Sequence, residues 1–236
     1  MKDLTDFNVT PFNTKEAVLS HIHQHYNVDE PYHIITANPE IIFEAVNNPT
    51  FTELFIKADL VIADGIGVSM PLAWRGYDSK RVPGIDVFEA ILADKELGKK
   101  GVYLVGAKLT TVTKTAKLLT EQGINVCGYR DGFFDVNEEN IRQLSLEIKA
   151  LTPGIVAIAM GAPRQDEVIG LLKESGVKGI LIGVGGAFDV LSGELKRAPI
   201  LVQKIKLEWL YRLLGDLKRL PRYKKIISYF IWLFKS

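Results

Sequence analysis

The sequence contains very little cysteine and no long hydrophobic run. Its single cysteine, Cys127, has no partner for an internal disulfide, which favours a reducing, cytosolic setting. No stretch reaches the roughly 18 consecutive apolar residues that a membrane-spanning helix needs, and the longest late run is Ile226–Phe234. The first residues do not combine a charged stretch with a following apolar one, so we expect no signal peptide.

The sequence also lacks the short motifs of several nucleotide-dependent enzymes. It contains no Asp-x-Asp triplet of the kind that holds a metal on a nucleotide diphosphate, and it contains no P-loop. The glycines of residues 65–67 and 183–186 do not complete the dinucleotide fingerprint G-x-G-x-x-G. His21, His23 and His25 lie close together, but no further ligand cluster accompanies them, and we interpret them as a solvated helix face. We therefore predict no metal site.

The residues that are present divide the chain into an acidic body and a basic tail. The net charge of the chain is +1, but residues from Lys196 onward carry eleven Lys and Arg against two Asp and Glu, a net of +9. The first 195 residues therefore carry 18 basic and 26 acidic side chains, a net of −8. We predict an α/β domain over residues 1–195 and a basic, helical appendage over residues 196–236.

Short apolar runs alternate with amphipathic segments along the body. Helical patterns cover residues 110–123 and 137–154, Asn13 with Glu16 predicts a capping box that opens the first helix, and Pro39 suits a first helical turn. This order predicts an α/β fold, a Rossmann-like and mostly parallel sheet with helices on both faces. The predicted strands are Tyr32–Ala37, Leu60–Ala63, Gly101–Gly106, Ile124–Tyr129, Ile155–Met160 and Gly179–Val184. In the tail, two helices are predicted, one through residues 201–218 and one following Pro221.

Almost every predicted strand ends in glycines or polar residues. The endings are Thr36–Pro39, Ala63–Gly67, Gly106–Ala107, Tyr129–Phe134, Gly161–Gln165 and Gly183–Asp189. Ligands of open α/β sheets bind beyond the carboxyl ends of the strands, where glycines let the backbone approach a ligand. A single glycine at such a turn usually serves geometry alone. Six endings of this kind together predict a ligand site at this edge of the sheet.

Asp64 closes an apolar strand and stands directly before a glycine turn. A carboxylate in that position is either a helix N-cap or a catalytic group. Thr36 and Asn38 close another predicted strand in the same way, so adjacency of the two strands would bring the three side chains to one crevice. An acid with polar neighbours can act as a general base on a hydroxyl group. The cations of the body that are candidates to meet an anion are Arg75, Arg81, Arg130 and Arg164.

Five motifs together resemble the WecG/TagA/CpsF glycosyltransferase family, family 26. They are TANPE, ADGIGV, RVPGID, GAPRQ and GVGGAFDVLSGELKRAP, and they follow the order of the family from Thr36 to Pro199. The resemblance implies that the body is a catalytic domain. It implies transfer of a sugar from a UDP-sugar to an acceptor sugar on a polyprenyl diphosphate, with inversion of the anomeric centre. It also implies that neither a metal nor a cofactor takes part, which agrees with the missing Asp-x-Asp triplet.

The resemblance assigns roles to individual residues by motif. Asp64 corresponds to the general base, Thr36 and Asn38 lie beside the acceptor and the base, and Arg81 and Gln165 correspond to contacts in the donor or catalytic pocket. The residues that it implies near UDP are Gly106, Gly132, Gly185, Gly186 and Asp189. In the teichoic-acid branch of the family, a basic C-terminal appendage closes over the pocket and meets the membrane. Its arginine pattern corresponds to Arg212, Arg219 and Arg222.

The resemblance sets the expected function and partners. It implies transfer of N-acetylmannosamine to GlcNAc on undecaprenyl diphosphate, in cell-wall or surface-polysaccharide synthesis, by a peripheral protein at the cytoplasmic face of the cell membrane. The expected partners are the UDP-sugar, the undecaprenyl-diphosphate-linked acceptor and an anionic membrane surface; no nucleic acid is expected, and homo-oligomerisation is left open.

Three alternatives remain at this point. UDP-glucose or a UDP-uronic acid is the alternative donor within the family, in exopolysaccharide synthesis. Outside the family, the same architecture serves enzymes with a nicotinamide or adenosyl cofactor. A non-enzymatic nucleotide-binding or membrane-adaptor module is the third.

Overall fold

A seven-stranded sheet forms the centre of the fold. The computed structural model describes residues 4–195, 199 and 220–235. The strands are β1 (Val9–Thr10), β2 (Pro31–Ala37), β3 (Leu60–Ala63), β4 (Val102–Gly106), β5 (Val126–Arg130), β6 (Ile155–Ala159) and β7 (Gly179–Gly183). Their order in the sheet is β1-β3-β2-β7-β6-β4-β5, and every pair is parallel. The six predicted strands are confirmed with shifted ends, and β1 is an addition.

Ten α-helices lie within the described residues. They are α1 (Lys15–His25), α2 (Pro39–Asn47), α3 (Pro49–Ile56), α4 (Ile66–Trp74), α5 (Gly84–Ala93), α6 (Leu109–Glu121), α7 (Glu138–Leu151), α8 (Arg164–Glu174), α9 (Ala187–Leu191) and α10 (Leu220–Leu233). Short 3-10 turns occur at Leu4–Phe7 and Leu97–Lys100. The helix predicted after Pro221 is confirmed, whereas the one predicted through residues 201–218 lies outside the described residues.

The start of α1 corrects the predicted capping box. The N-cap residue is Thr14, whose Oγ1 accepts the N–H of Ala17 at 3.1 Å. The amide Nδ2 of Asn13 instead donates to the carboxylate of Asp78. The side chain of Asn13, which the local pattern assigned to the helix cap, is therefore engaged in a long-range contact. Pro39 does open α2 in its first turn, as predicted.

The helices cover both faces of the sheet, as the alternation of side chains along each strand requires. On β2, Tyr32 and Ile34 point into a core with α1, α5, α6 and α9, while Ile35 and Ala37 point to the opposite face. That opposite face carries α2, α3, α4 and α10 at one end and α7 and α8 at the other. Helices that follow neighbouring strands β2 and β7 thus leave to opposite faces, and so do those that follow β6 and β4. Such points open crevices at the carboxyl edge.

The last helix, α10, is part of the core. Tyr229 is fully buried and Leu233 is 7% exposed, and both pack with residues of α2 and α4. The hydroxyl of Tyr229 donates to the carbonyl of Gly67 at 2.9 Å, and Lys225 pairs with Glu44 at 2.7 Å. Burial raises the pKa of the Tyr229 hydroxyl. The domain boundary at residue 196 stays a prediction. Among the described helices, none combines the length and apolar character needed to span a membrane.

Candidate active site

Asp64 and Asn38 meet at the carboxyl edge of the sheet. The register of β2 and β3 pairs Ala37 with Ala63, and each polar residue directly follows its strand. The N–H of Asp64 donates to the carbonyl of Ala37 at 2.8 Å, which continues the pairing one residue beyond β3. Both side chains are half-buried. The adjacency on which the predicted crevice depended is therefore confirmed.

The two residues differ in helix capping, because Asn38 is an N-cap residue and Asp64 is not. Gly65, with a φ of 96°, occupies the N-cap position of α4, so Asp64 is not the N-cap residue. Asn38 does cap a helix, because its Oδ1 accepts the N–H of Ile41 at 3.0 Å at the start of α2. Since this bond uses the amide oxygen of Asn38, its Nδ2 group is the part that can donate to a bound hydroxyl. Helix capping therefore explains the position of Asn38 but not that of Asp64.

Thr36 joins three elements behind this crevice. It is 8% exposed, and its Oγ1 donates to the carbonyl of Gly183 at the end of β7 at 3.3 Å. On its other side, Gly84 at the start of α5 packs so closely that a Cβ there would lie 2.9 Å from the Cβ of Thr36. This contact brings the N-terminus of α5 to the edge of the sheet. Arg81 is half-buried in the loop before α5, three residues before Gly84.

Gln165 holds the turn that follows β7. Its side chain is 3% exposed, and its Oε1 accepts the N–H of Gly185 at 3.0 Å. The space over Gly183 is filled by the same amide, because a Cβ built there would lie 2.4 Å from Nε2. The carbonyl and amide of Gln165 thus fix the backbone on which the predicted glycines lie. Gln165 shapes the site by positioning that turn.

Gly185, Gly186 and Asp189 lie together in the turn after β7 and the first turn of α9. Gly185 has a φ of 52°, a conformation that favours glycine, and Gly186 is the N-cap residue of α9. Asp189 is half-buried in the first turn of α9, and a Cβ at Gly186 would lie 3.5 Å from its Oδ2. The carboxylate therefore lies over the start of its own helix.

Gly106 and Gly132 have a packing reason to be glycine. A Cβ at Gly106 would lie 2.3 Å from the carbonyl oxygen of Ala159, and a Cβ at Gly132 would lie 3.0 Å from the Cα of Gly106. The N–H of Gly132 also donates to the carbonyl of Ala107 at 2.9 Å. Their type is therefore explained without a ligand. They lie at the carboxyl edge as predicted, with β6 and β7 between β4 and β2.

Arg130 and Arg164, two of the predicted anion contacts, bind the loop that contains Phe134. The Nη2 of Arg164 donates to the carbonyls of Gly132, at 3.2 Å, and of Phe134. The guanidinium of Arg130 lies 4.8 Å from the centroid of the Phe134 ring, and that of Arg164 lies 5.9 Å from it. Such stacking of cations on an aromatic face is favourable. The adjacent Phe133 is 75% exposed. The sequence pointed to the segment Tyr129–Phe134 as a strand ending, but it did not predict that the two arginines contact Phe134.

The structure describes the three predicted arginines of the tail only in part. Arg212 and Arg219 lie outside the described residues, and Arg222 lies in the first turn of α10 with its side chain outside the described part. Two surface concavities, of about 320 and 570 Å³, are lined by none of the predicted site residues. The first lies at the amino edge of the sheet, around Gly179, opposite to the candidate site.

The three histidines of α1 contact one another or a nearby carboxylate, and they do not form a set of metal ligands. The rings of His21 and His25 stack at 4.0 Å, and His25 Nδ1 bonds the carbonyl of His21 at 2.8 Å. His23 pairs with Asp94 at 3.0 Å. In the described part of the chain, no group of three or more His, Cys, Asp or Glu residues has the arrangement of a metal site.

Comparison with known proteins places this chain in a family. The sequence profile of the glycosyl transferase WecG/TagA/CpsF family matches residues 2–236. The chain belongs to this family. A WecG/TagA/CpsF relative from Bacillus spizizenii is 34% identical over 231 residues, which are 96% of this chain and 86% of the relative. That protein is called N-acetylglucosaminyldiphosphoundecaprenol N-acetyl-beta-D-mannosaminyltransferase. The resemblance seen in the motifs is thereby confirmed, and the chain is a glycosyltransferase by family.

Proposed function

We propose that this chain transfers N-acetylmannosamine from its UDP-sugar to GlcNAc carried on undecaprenyl diphosphate. The family membership and the name of the Bacillus relative support this acceptor and this sugar. The observation that carries the proposal is the placement of Asp64, a half-buried carboxylate beside Asn38 at the ligand-binding edge that is not the N-cap residue of the following helix. The product would enter cell-wall or surface-polysaccharide synthesis.

In the proposed reaction, Asp64 takes the proton of the acceptor hydroxyl as its oxygen attacks the anomeric carbon. The new C–O bond forms while the bond from that carbon to the diphosphate oxygen breaks, and UDP leaves with the electron pair. Attack on the side opposite to UDP inverts the anomeric centre. Asn38 is the neighbour that can orient the hydroxyl through its Nδ2 group. Thr36 holds the wall of the crevice, since its own hydroxyl bonds Gly183.

We propose that the donor lies across the ends of β7, β6 and β4. Strands are spaced about 4.8 Å apart, so the distance from β2 to β4 is roughly 14 Å, which suits an elongated ligand such as a nucleotide diphosphate sugar. Gly185, Gly186 and Asp189 would meet it at one place, and Gly106 and Gly132 at another. In this proposal no metal balances the departing diphosphate. Its charge would be met by Arg81 and by the N-terminal amides of α5, with Arg212, Arg219 and Arg222 of the tail added.

We propose further that α10 faces an anionic membrane surface while its other side packs on the body. Its buried side carries Tyr229 and Leu233. Its exposed side carries Ile227, Ile231 and Phe234, which are 61%, 52% and 74% exposed, with exposed Lys224 and Lys235 at the two ends. A helix with an apolar stripe flanked by lysines suits the headgroup layer. Each basic side chain near an anionic leaflet contributes about 1 kcal/mol.

A donor panel tests the function. Purified protein is incubated with a short-chain GlcNAc-diphosphate-lipid and with UDP-ManNAc, UDP-glucose or a UDP-uronic acid, and the glycosylated product is measured. We expect UDP-ManNAc to be used at least tenfold better than the other two donors. Preferential use of another UDP-sugar would keep the family reaction and replace the donor. Binding of NAD in place of UDP, with no transfer from any donor, would overturn the proposal.

A further inference from the structure

A buried ionisable pair lies directly behind the candidate site. His33 on β2 is 2% exposed and Asp166 in the first turn of α8 is fully buried, and His33 Nε2 lies 3.5 Å from Asp166 Oδ1. Within the described residues, neither this nitrogen nor either carboxylate oxygen has a hydrogen-bond partner. Leaving such a group unsatisfied typically costs about 1–3 kcal/mol. A buried polar group of this kind requires a specific explanation.

The position of the pair supplies that explanation. Asp166 directly follows Gln165, which holds the Gly185 turn, and His33 lies three residues before Thr36 on the same strand. Gly183 contacts both neighbours of the pair, because its carbonyl accepts the Thr36 hydroxyl and the amide of Gln165 fills the space over it. The pair therefore joins the two elements that flank the end of β7.

A second contact ties the same two elements together. One oxygen of Asp59, Oδ2, accepts the backbone N–H of His33 at 2.7 Å and is bonded by Lys173 Nζ at 2.8 Å. Lys173 lies in the last turn of α8, whereas Asp166 lies in the first. The helix is thus attached to the β2 region near both of its ends. Only the attachment at Asp166 adjoins the proposed donor site.

We propose that His33 and Asp166 are a positioning pair for the Gly185 turn. Their contact fixes the first turn of α8 against β2, and this placement lets the Gln165 carbonyl reach the N–H of Gly185. Neither member of the pair touches the substrate. The functional consequence rests on the proposed function, because a loosened turn would weaken the binding of UDP. The structural consequence, freer exchange of the Gly185 amide, holds whatever the ligand is.

The test replaces the pair by apolar side chains in the double variant His33→Leu, Asp166→Leu. Replacement of both members of a buried pair by well-packed apolar residues is often neutral or stabilising, so stability and positioning can be told apart. We expect an unchanged or higher melting temperature, at least tenfold faster hydrogen exchange in the peptide that covers residues 183–189, and about tenfold weaker UDP binding by calorimetry. The matched control is Tyr32→Phe, which removes a buried hydroxyl that also has no hydrogen-bond partner among the described residues, from the same strand but on the opposite face.

The outcomes separate the possibilities. Exchange and UDP affinity equal to those of the wild type, in a folded double variant, would overturn the proposal. If the double variant fails to fold, Asp166→Asn, which keeps the side-chain shape, is measured instead. The same changes in exchange and UDP affinity are expected, and wild-type exchange in that variant would likewise overturn the proposal. If the wild-type chain does not bind UDP, the proposed function fails, and the exchange measurement alone decides the positioning role.

Discussion

Replacement of Asp64 by Asn tests the proposed general base with the least change of shape. Loss of a general base typically slows a reaction by about 10²–10⁴, which corresponds to about 2.7–5.4 kcal/mol in the barrier. Slower turnover can be distinguished from lower stability in this variant, because Gly65 rather than Asp64 is the N-cap residue of α4. We therefore expect the melting temperature and the affinity for UDP to change little, while turnover with saturating acceptor falls by at least 100-fold.

The capping residue beside it supplies the control. Asn38→Ala removes the bond from Oδ1 to the N–H of Ile41, and loss of an N-cap typically costs about 1 kcal/mol. In a chain of this size that corresponds to a fall of about 2–4 °C in melting temperature. Asn38→Asp keeps a capping oxygen and is expected to keep the stability. Near-wild-type turnover of Asp64→Asn in a single-turnover assay would refute the base, and a fall in its melting temperature like that of Asn38→Ala would assign Asp64 a structural part.

Three further predictions follow from the site and the last helix. Treatment with EDTA should leave the transfer rate within about twofold, and restoration of a chelated, inactive enzyme by a divalent ion would show that metal catalysis had been overlooked. Gly84→Ala would place a Cβ 2.9 Å from Thr36, so we expect a loss of about 1–3 kcal/mol of stability and slower turnover; a variant equal to the wild type in denaturant unfolding and rate would contradict that contact. Ile227→Glu with Ile231→Glu should weaken co-sedimentation with anionic vesicles at least tenfold, whereas Leu146→Glu, a similarly exposed position on α7, should not; equal effects of the two would argue against a lipid-facing α10.

The strands could be predicted because a parallel sheet is buried on both faces. Such strands read as continuous apolar runs, which is true of β2, β3, β4, β6 and β7, whereas β5 at the edge is only half-buried. β1 contains only Val9 and Thr10, which is too short to give a pattern. At the start of α1, Asn13 and Thr14 are both good capping residues, and a contact of Asn13 with the distant Asp78 decides between them. Local rules fail here because the deciding contact is not local.

The site was predictable where the strand register alone determines it. Asp64 and Asn38 meet because β3 lies next to β2, and their order in the chain already suggested that neighbourhood. The glycines were a weaker signal, since Gly106 and Gly132 are explained by close backbone packing as well as by a ligand. His33 carried no local signal, because its partner lies far along the chain and meets it only in the folded sheet.

Gly183 contacts residues from both halves of the proposed site. Its carbonyl accepts the hydroxyl of Thr36, which lies on the proposed acceptor side, and its missing side chain leaves the space that the amide of Gln165 fills. Gln165 in turn binds the N–H of Gly185, on the proposed donor side. A side chain at Gly183 would come within 2.4 Å of Gln165 Nε2, so it would have to displace that amide and release the turn. The two halves of the proposed site are thus connected through one residue at the end of β7, by the hydroxyl of Thr36 on one side and the amide of Gln165 on the other.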